Sequence, residues 1–269
     1  MVVGCMAYKL IHMISRWHTY PSCTWETLRR VESYIKYYKT LQIQSLDSVI
    51  LGGNVTQFSS NELYPELEEF GLLFPANPEH SAVEAPVFWH PNRFQNVVRF
   101  NVIPKEELDP QQHYLKLSDF PAHRTHFRDA NGGYHIRLLG EKFWFQIRCD
   151  NLNLDGENIY IGLDFYRMEN MVKRLETAKQ IAGIYNGSID KSAPLHTPSR
   201  PDLHRKSALV YDVRASGGTW RDAINAHFGE KYLIENPDNF GPARTTVRNY
   251  QKRAETFIYG DYLTILDQT

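Results

Sequence analysis

Thr219-Trp-Arg-Asp-Ala-Ile-Asn-Ala-His-Phe-Gly229, followed after a loop by Gly241-Pro-Ala-Arg-Thr-Thr-Val-Arg-Asn-Tyr-Gln-Lys-Arg-Ala254, is the stretch on which the reading of this chain turns. Thr219 is a residue type that caps a helix start, and Gly229 sits where a helix stops. Gly241-Pro242 opens a second, longer helix that the pattern carries to about Tyr259. Arg244, Arg248, Lys252 and Arg253 all precede its first acid, Glu255. Spacings of four align Arg244, Arg248 and Lys252 on one stripe, with Val247, Tyr250, Ala254, Phe257 and Ile258 over much of the opposite side. A cationic face with hydroxyl and amide groups (Thr245, Thr246, Asn249) above an apolar face suits a helix lying in a DNA major groove. Arg221 on the shorter helix joins the candidate DNA-binding set. The plain alternative is an amphipathic surface helix whose cations are only solvated.

Upstream, Pro201 to Ala215 reads as a first helix with Leu203, Ala208, Leu209 and Val213 inward, broken by Ser216-Gly-Gly218. Trp220, Ile224 and Phe228 are expected to bury against Val213 and Val247, making a helix-turn-helix unit over 201–269. Asn186 to Ser199, with prolines and small polar residues, reads as a linker, assigned to 186–200.

The middle of the chain, 111–185, is expected to be an antiparallel β meander followed by a helix. Thr125–Ala130 and Tyr134–Leu139 flank Asn131-Gly-Gly133, a hairpin signal because Asn-Gly supplies the positive φ angles of a tight primed turn. Tyr114–Leu117, Lys142–Cys149 and Asn158–Phe165 are further strand candidates. Met168 to Ile184 is predicted as a helix with Met171, Leu175, Ala178 and Ile181 on its inner face. The N-terminal domain, 21–110, opens on helical spacing from Trp25 to Leu41. An acidic helix candidate, Glu62–Phe70, stopped at Gly71, comes next, and then Val87–Trp89 as a short strand. The fold class expected is α+β.

Composition bounds the function. The chain has 269 residues, 42% hydrophobic and 23% charged, which are globular values. Net charge is −1 and the isoelectric point is near 6.8. Any nucleic-acid contact must therefore come from a local patch. Three scattered cysteines, Cys5, Cys23 and Cys149, offer neither a disulfide framework nor zinc-ligand spacing, which fits a reducing, cytoplasmic setting. Residues 1–20 form an extension of uncertain start, since Met6 and Met13 are alternative initiators. Its apolar run is interrupted by Lys9 and His12 and is too short to span a bilayer.

Chemistry-bearing clusters are weak. His123 and His126, with Asp119 and Asp129 nearby, lack ligand spacing on one rigid element, so no metal and no cofactor is expected. No serine sits in a nucleophile-elbow context and no phosphate-cradling glycine loop appears, so the chain is not read as an enzyme. Arg128, His135, Arg137, Lys142 and Arg148 make the hairpin region basic, with the solvated face of a half-buried sheet as the simpler reading. Phe143-Trp-Phe145 is dense in aromatics for a two-faced strand. Together with Arg137 and the aromatic helix around Tyr34, Tyr37 and Tyr38, it is a candidate oligomer contact, against the alternative that these rings fill one chain's core.

Three stretches resemble the RovC-type bacterial transcriptional regulators. Trp25-Glu-Thr-Leu-Arg-Arg30 with Tyr34 is similar to the opening of that family's short N-terminal domain. Phe74-Pro75 and Glu84-Ala-Pro-Val-Phe-Trp89 with Pro91 are similar to its closing strand. The Arg/His-rich hairpin through Thr246-Val-Arg248 to Arg253-Ala254 looks like the family's C-terminal domain. That domain also occurs in excision activators and anti-activators of integrative elements. The resemblance implies an activator of a type VI secretion or mobile-element gene cluster, bound to double-stranded promoter DNA. It implies a homo-oligomer, a hexamer on the strict match, with RNA polymerase as a candidate partner and no membrane. The anti-activator relatives imply a second reading, a protein-binding module that captures another regulator.

Overall fold

The computed structural model describes residues 19–41, 48–50, 55–60, 62–94, 96–102, 109, 111, 115–116, 120, 122–140, 143–149, 158–160, 171–189, 201–237 and 240–267. These fall into two compact units: a helical one from residues up to 39, 77–85 and 197–268, and a sheet unit from most of the rest. The architecture is α+β, as expected. The division differs from the expected succession of domains, because chain from both ends enters one unit.

In the helical unit, α1 (Tyr20–Leu28) starts earlier than the spacing suggested, because Thr19 accepts a hydrogen bond from the Ser22 N–H and Pro21 occupies the first turn. The single helix expected from Trp25 to Leu41 is two. At Arg29–Val31 the backbone tightens, with the N–H groups of Arg30 and Val31 bonding the carbonyls three residues back, and α2 (Glu32–Thr40) comes after it. Residues 77–85 are tied to α1. Trp25 Nε1 donates to the His80 carbonyl at 3.1 Å, and the Ala82 N–H donates to Glu26 at 2.8 Å.

In the sheet unit, eight strands among the described residues run in the order β1 (Ser48–Ile50), β2 (Val55–Ser59), β5 (His123–Arg128), β6 (Tyr134–Leu139), β7 (Trp144–Cys149), β3 (Val98–Val102), β8 (Asn158–Tyr160), β4 (Leu115–Lys116). The antiparallel meander is correct only for β5–β6–β7. β2 pairs with β5 in parallel, β3 pairs with β7 in parallel, and β8 lies against β3 rather than β7. The β5–β6 turn also departs from the tight primed form. Asp129 organises a longer loop, accepting from the Asn131 and Gly133 N–H groups, and of its two glycines only Gly132, at φ 80°, is left-handed.

One face of this sheet packs Ile136, Leu138, Phe145, Ile147 and Val98 against α3 (Met171–Tyr185) through Ala178, Ile181 and Ile184. Leu175, expected inside, is 43% exposed, while Arg174 and Thr177 are buried. Elsewhere in the unit Phe74, Phe88 and Phe127 cluster. Trp89 makes an isolated antiparallel bridge with Leu72 rather than a full strand. Gln146 clamps its backbone, accepting from the Trp89 N–H at 2.8 Å and donating to its carbonyl at 2.7 Å. The acidic helix expected over 62–70 reduces to one 3-10 turn, Pro65–Glu68. Pro65 fixes its start, and Gly71, at positive φ, turns the chain away just beyond its end. The expected 186–200 linker and the strand ends at Tyr114 and Phe165 fall wholly or partly outside the described residues.

Candidate nucleic-acid interface

The C-terminal segment builds α4 (Pro201–Ala215), α5 (Trp220–Phe228), α6 (Glu230–Glu235) and α7 (Gly241–Thr256), then a π turn over Phe257–Asp261 and a last turn, α8 (Thr264–Asp267). The α4 boundaries and the α7 start are those the sequence signals, but regular α7 ends at Thr256 and the π turn takes over the stretch expected to continue it to about Tyr259. Gly217 takes φ 86°, and a Cβ at Gly218 would lie 2.7 Å from the Val213 carbonyl oxygen, so both glycines are required where α4 turns into α5. Thr219 then forms a reciprocal capping box with Asp222. The loop expected after Gly229 holds a short helix, α6, so α5 and α7 are separated by a longer connection than a minimal helix-turn-helix has.

Val210, Ala223, Ile224, Ala243 and Val247 form a shared core of α4, α5 and α7. This fixes which side of α7 faces out. Val247, Ala254 and Ile258 are buried and Tyr250 and Phe257 are partly so, as the sequence pattern implied. Of the expected inner residues of α4, Ala208 is buried, whereas Leu203, Leu209 and Val213 are only half-buried; His204, Ser207 and Val210 take the inner positions. Phe228 is 37% exposed and Trp220 is half-buried, so neither fills the core as expected. They sit at its rim, and Ile224 carries the burial.

Arg221, Arg244, Thr245, Arg248, Asn249, Lys252 and Arg253 are exposed and Thr246 is half-buried. The hydroxyls of Thr245 and Thr246 donate to the Gly241 and Pro242 carbonyls, both at 3.1 Å. Their donors are therefore committed to the helix itself. The nearby acids are also engaged. Asp222 closes the capping box, Glu255 accepts from Gln251 at 2.7 Å, Glu235 lies 3.6 Å from Lys231, and Asp212 pairs with Arg30. Among the described residues no hydrogen bond or ion pair reaches the side chains of Arg244, Arg248 or Lys252. The stripe is an uncompensated cationic face on a helix whose other side is fixed.

Aromatic rings support three of the cations. The guanidinium of Arg248 lies over the Trp220 ring at 5.3 Å, Arg221 over Phe240 at 5.8 Å and Arg253 over Phe257 at 5.7 Å. Arg214, which the sequence reading did not single out, lies over Trp220 at 4.5 Å and donates to the Gly218 carbonyl. Its only sequence signal was its place in the last turn of α4, where a cation meets the helix's free carbonyls. Behind α7, a cavity of about 20 Å³ is lined by Glu26, Arg30, His204 and Ser207. It is large enough for about one water.

The candidate oligomer residues are placed differently. Tyr34, Arg137, Phe143, Trp144 and Phe145 are each at most 3% exposed within the single chain, so they fill its cores; Tyr37 and Tyr38 are half-buried. His135 and Arg137 are not the solvated residues of a sheet face. His135 bonds Asp129 at 3.0 Å, and Arg137 donates to the Thr125 hydroxyl at 3.0 Å while burial pushes its pKa down to about 10. Arg128 and Arg148 are exposed, and Lys142 lies outside the described residues. Of the weighed metal cluster, His123 is exposed, His126 is buried with both ring nitrogens unbonded, and Asp129 serves the turn and His135. Asp119 lies outside the described residues, and among those described no group of three ligands converges. No described helix is long and apolar enough to cross a membrane. No protein-family model matches this chain, and no curated protein matches it.

Proposed function

We propose that the chain binds double-stranded DNA through the outward face of α7, in a helix-turn-helix-like unit with α5, and acts as a transcriptional regulator. The observation that carries this reading is the stripe of Arg244, Arg248 and Lys252, exposed and without an acidic partner among the described residues, on a helix anchored by Val247 and Ala254. A purely solvated helix gains nothing from aligning three unpaired cations, whereas a phosphate backbone rewards it by releasing counterions. If Arg221, Arg244 and Lys252 each meet a phosphate, the slope of log K against log salt is about −3.

The family resemblance adds activation of a secretion or mobile-element cluster, cytoplasmic location and contact with RNA polymerase to this proposal. Homo-oligomerisation, up to a hexamer, also belongs to it, because one small module buries only about 600–1,000 Å² against DNA. Joining copies raises affinity through effective concentration. Light scattering at the DNA-binding concentration tests that part, and a monomer mass there removes it.

A specific observation keeps the anti-activator reading as the second: Ile234 on α6 is 71% exposed and Phe228 at the end of α5 is 37% exposed, an apolar pair suited to a protein partner. Electrophoretic shift on total genomic fragments, with sequencing of what is retained, separates the two. The expected result is a limited set of retained sequences and loss of retention when Arg244, Arg248, Lys252 and Arg253 are all changed to Ala. Unchanged retention by that variant overturns the assignment of the face.

A further inference from the structure

Resting on the DNA-binding reading, we propose that Arg248 reads a base edge, a guanine presented in the major groove, and that Trp220 is the positioning residue that holds it ready. The cations of the stripe are not equivalent. Among the described residues Arg244 and Lys252 have neither a ring nor an acid against their side chains, which suits them to phosphates. Arg248 is exposed, yet its guanidinium rests over the Trp220 ring at 5.3 Å. Stacking restricts the side chain while leaving its planar fork of N–H donors unused, since no hydrogen bond or ion pair is formed by the Arg248 side chain among the described residues. A preorganised fork is what bidentate recognition of the two major-groove acceptors of guanine, N7 and O6, requires.

Arg214 adds a second constraint. Its guanidinium lies over the same indole at 4.5 Å and is tethered by donation to the Gly218 carbonyl at the end of α4. Of the two guanidiniums that share the indole, only Arg248 keeps its side-chain donors unspent among the described residues. Its neighbour on the face, Thr245, cannot supply the donor in its place, because its hydroxyl is spent on the Gly241 carbonyl.

The test has a DNA-free arm and a DNA arm. In nuclear magnetic resonance of the full chain, the Arg248 side-chain Nε–H should show a ring-current shift that Trp220→Leu abolishes and Trp220→Phe largely keeps. On a retained duplex, with each G·C pair replaced in turn, Arg248→Ala should lose about 10- to 100-fold in affinity and become indifferent at one position. Arg248→Lys, at an exposed position and so safe for folding, should keep the salt slope while losing that discrimination. Trp220→Leu should weaken discrimination at the same position, Trp220→Phe should restore it, and Trp220→Leu should add nothing in the Arg248→Ala background. Arg244→Ala and Lys252→Ala should weaken all sequences evenly and each lower the salt slope by about one. Absence of DNA binding by the unmodified chain overturns the functional reading and this one with it. DNA binding in which Arg248→Ala weakens every sequence alike, or in which Trp220 and Arg248 effects simply add, overturns this inference alone.

Discussion

Arg30 and Asp212 offer the sharpest test of how the helical unit is held together. Arg30 lies just past the end of α1, Asp212 lies on α4, and the two form a bidentate pair, with Nε and Nη2 each 2.7 Å from a carboxylate oxygen. Arg30 Nη1 also donates to the Glu26 carbonyl and lies 3.1 Å from its carboxylate. Burial alone would push the Arg30 pKa down, yet Asp212 and Glu26 carry it above its ordinary value. The side chains are 9% and 48% exposed respectively, so the pair is neither a surface contact nor a dry one. A fully buried charge-assisted bond contributes about 1.5–3 kcal/mol and an exposed ion pair about 0–1 kcal/mol. Two parallel bonds to a half-exposed carboxylate should thus couple by about 1–2 kcal/mol. Asp212→Asn should cost about 1–2 kcal/mol because it leaves a buried guanidinium underpaired. Arg30→Met should cost about 2–4 kcal/mol because Glu26 also loses a partner. The assay is a double-mutant cycle by urea denaturation of the full chain, with hydrogen exchange reporting α1 and α7 separately. If the two losses add to within about 0.3–0.5 kcal/mol, or if α7 is unaffected by Arg30→Met, the bridge does not unite the unit.

Ile224→Ala should destabilise by about 2–4 kcal/mol, because that side chain is 2% exposed at the centre of the α4–α5–α7 core; the urea midpoint reads it. Gln146→Leu should cost about 2–5 kcal/mol, measured by thermal melting, since it strands both the N–H and the carbonyl of buried Trp89. Stability should also fall with acid above the range where carboxylates titrate. Burial pushes His126 down to about 4, well below the roughly 6.5 of an unfolded chain, so the unfolded state binds the extra proton first as pH drops. The contribution of neutral His126 is complete above about pH 6.5 and is lost progressively toward about pH 4. His204, also pushed down to about 4 by burial and by Arg253, acts in the same window. Melts from pH 8 to 4 should show the decline, and His126→Gln should flatten it; an identical profile in that variant would refute the assignment.

How much of this was legible beforehand depends on the distance over which each signal acts. Thr219, Asp222 and Gly229 fix α5 by contacts within a few residues, and Gly241-Pro242 does the same for α7, so those helices and the exposed stripe between their buried residues were readable. The parallel insertion of β2 beside β5 and of β3 beside β7 was not. Each partner lies far away in the chain, and alternation along a strand marks its faces without naming its neighbours. The inward face of α3 was misassigned for a related reason. Leu175 looked apolar enough to be buried, but the sheet it meets takes Ala178 and Ile181, while Arg174 and Thr177 flank them. Pro65 was in plain view and should have shortened the acidic helix. The aromatic supports of Arg248 and Arg214 were invisible because they depend on α4, α5 and α7 converging on one indole.

The helical unit takes its material from residues up to 39, from 77–85 and from 197 onward, and this sets an order of events on the ribosome. At about 5–20 residues per second, α1 and α2 emerge many seconds before α4, α5 and α7 exist. Through that interval Trp25 and Tyr34 can pack on each other, and Trp25 can bond His80 once 77–85 is made, but α4 and α7 are still missing. The strands of the sheet unit are made meanwhile, and β5–β6–β7 is contiguous enough to close early. The cationic face is therefore completed only after the strands of the sheet unit. A nascent chain released before Gly241 lacks the stripe altogether, so on the proposed reading such a product has no α7 face to offer to DNA.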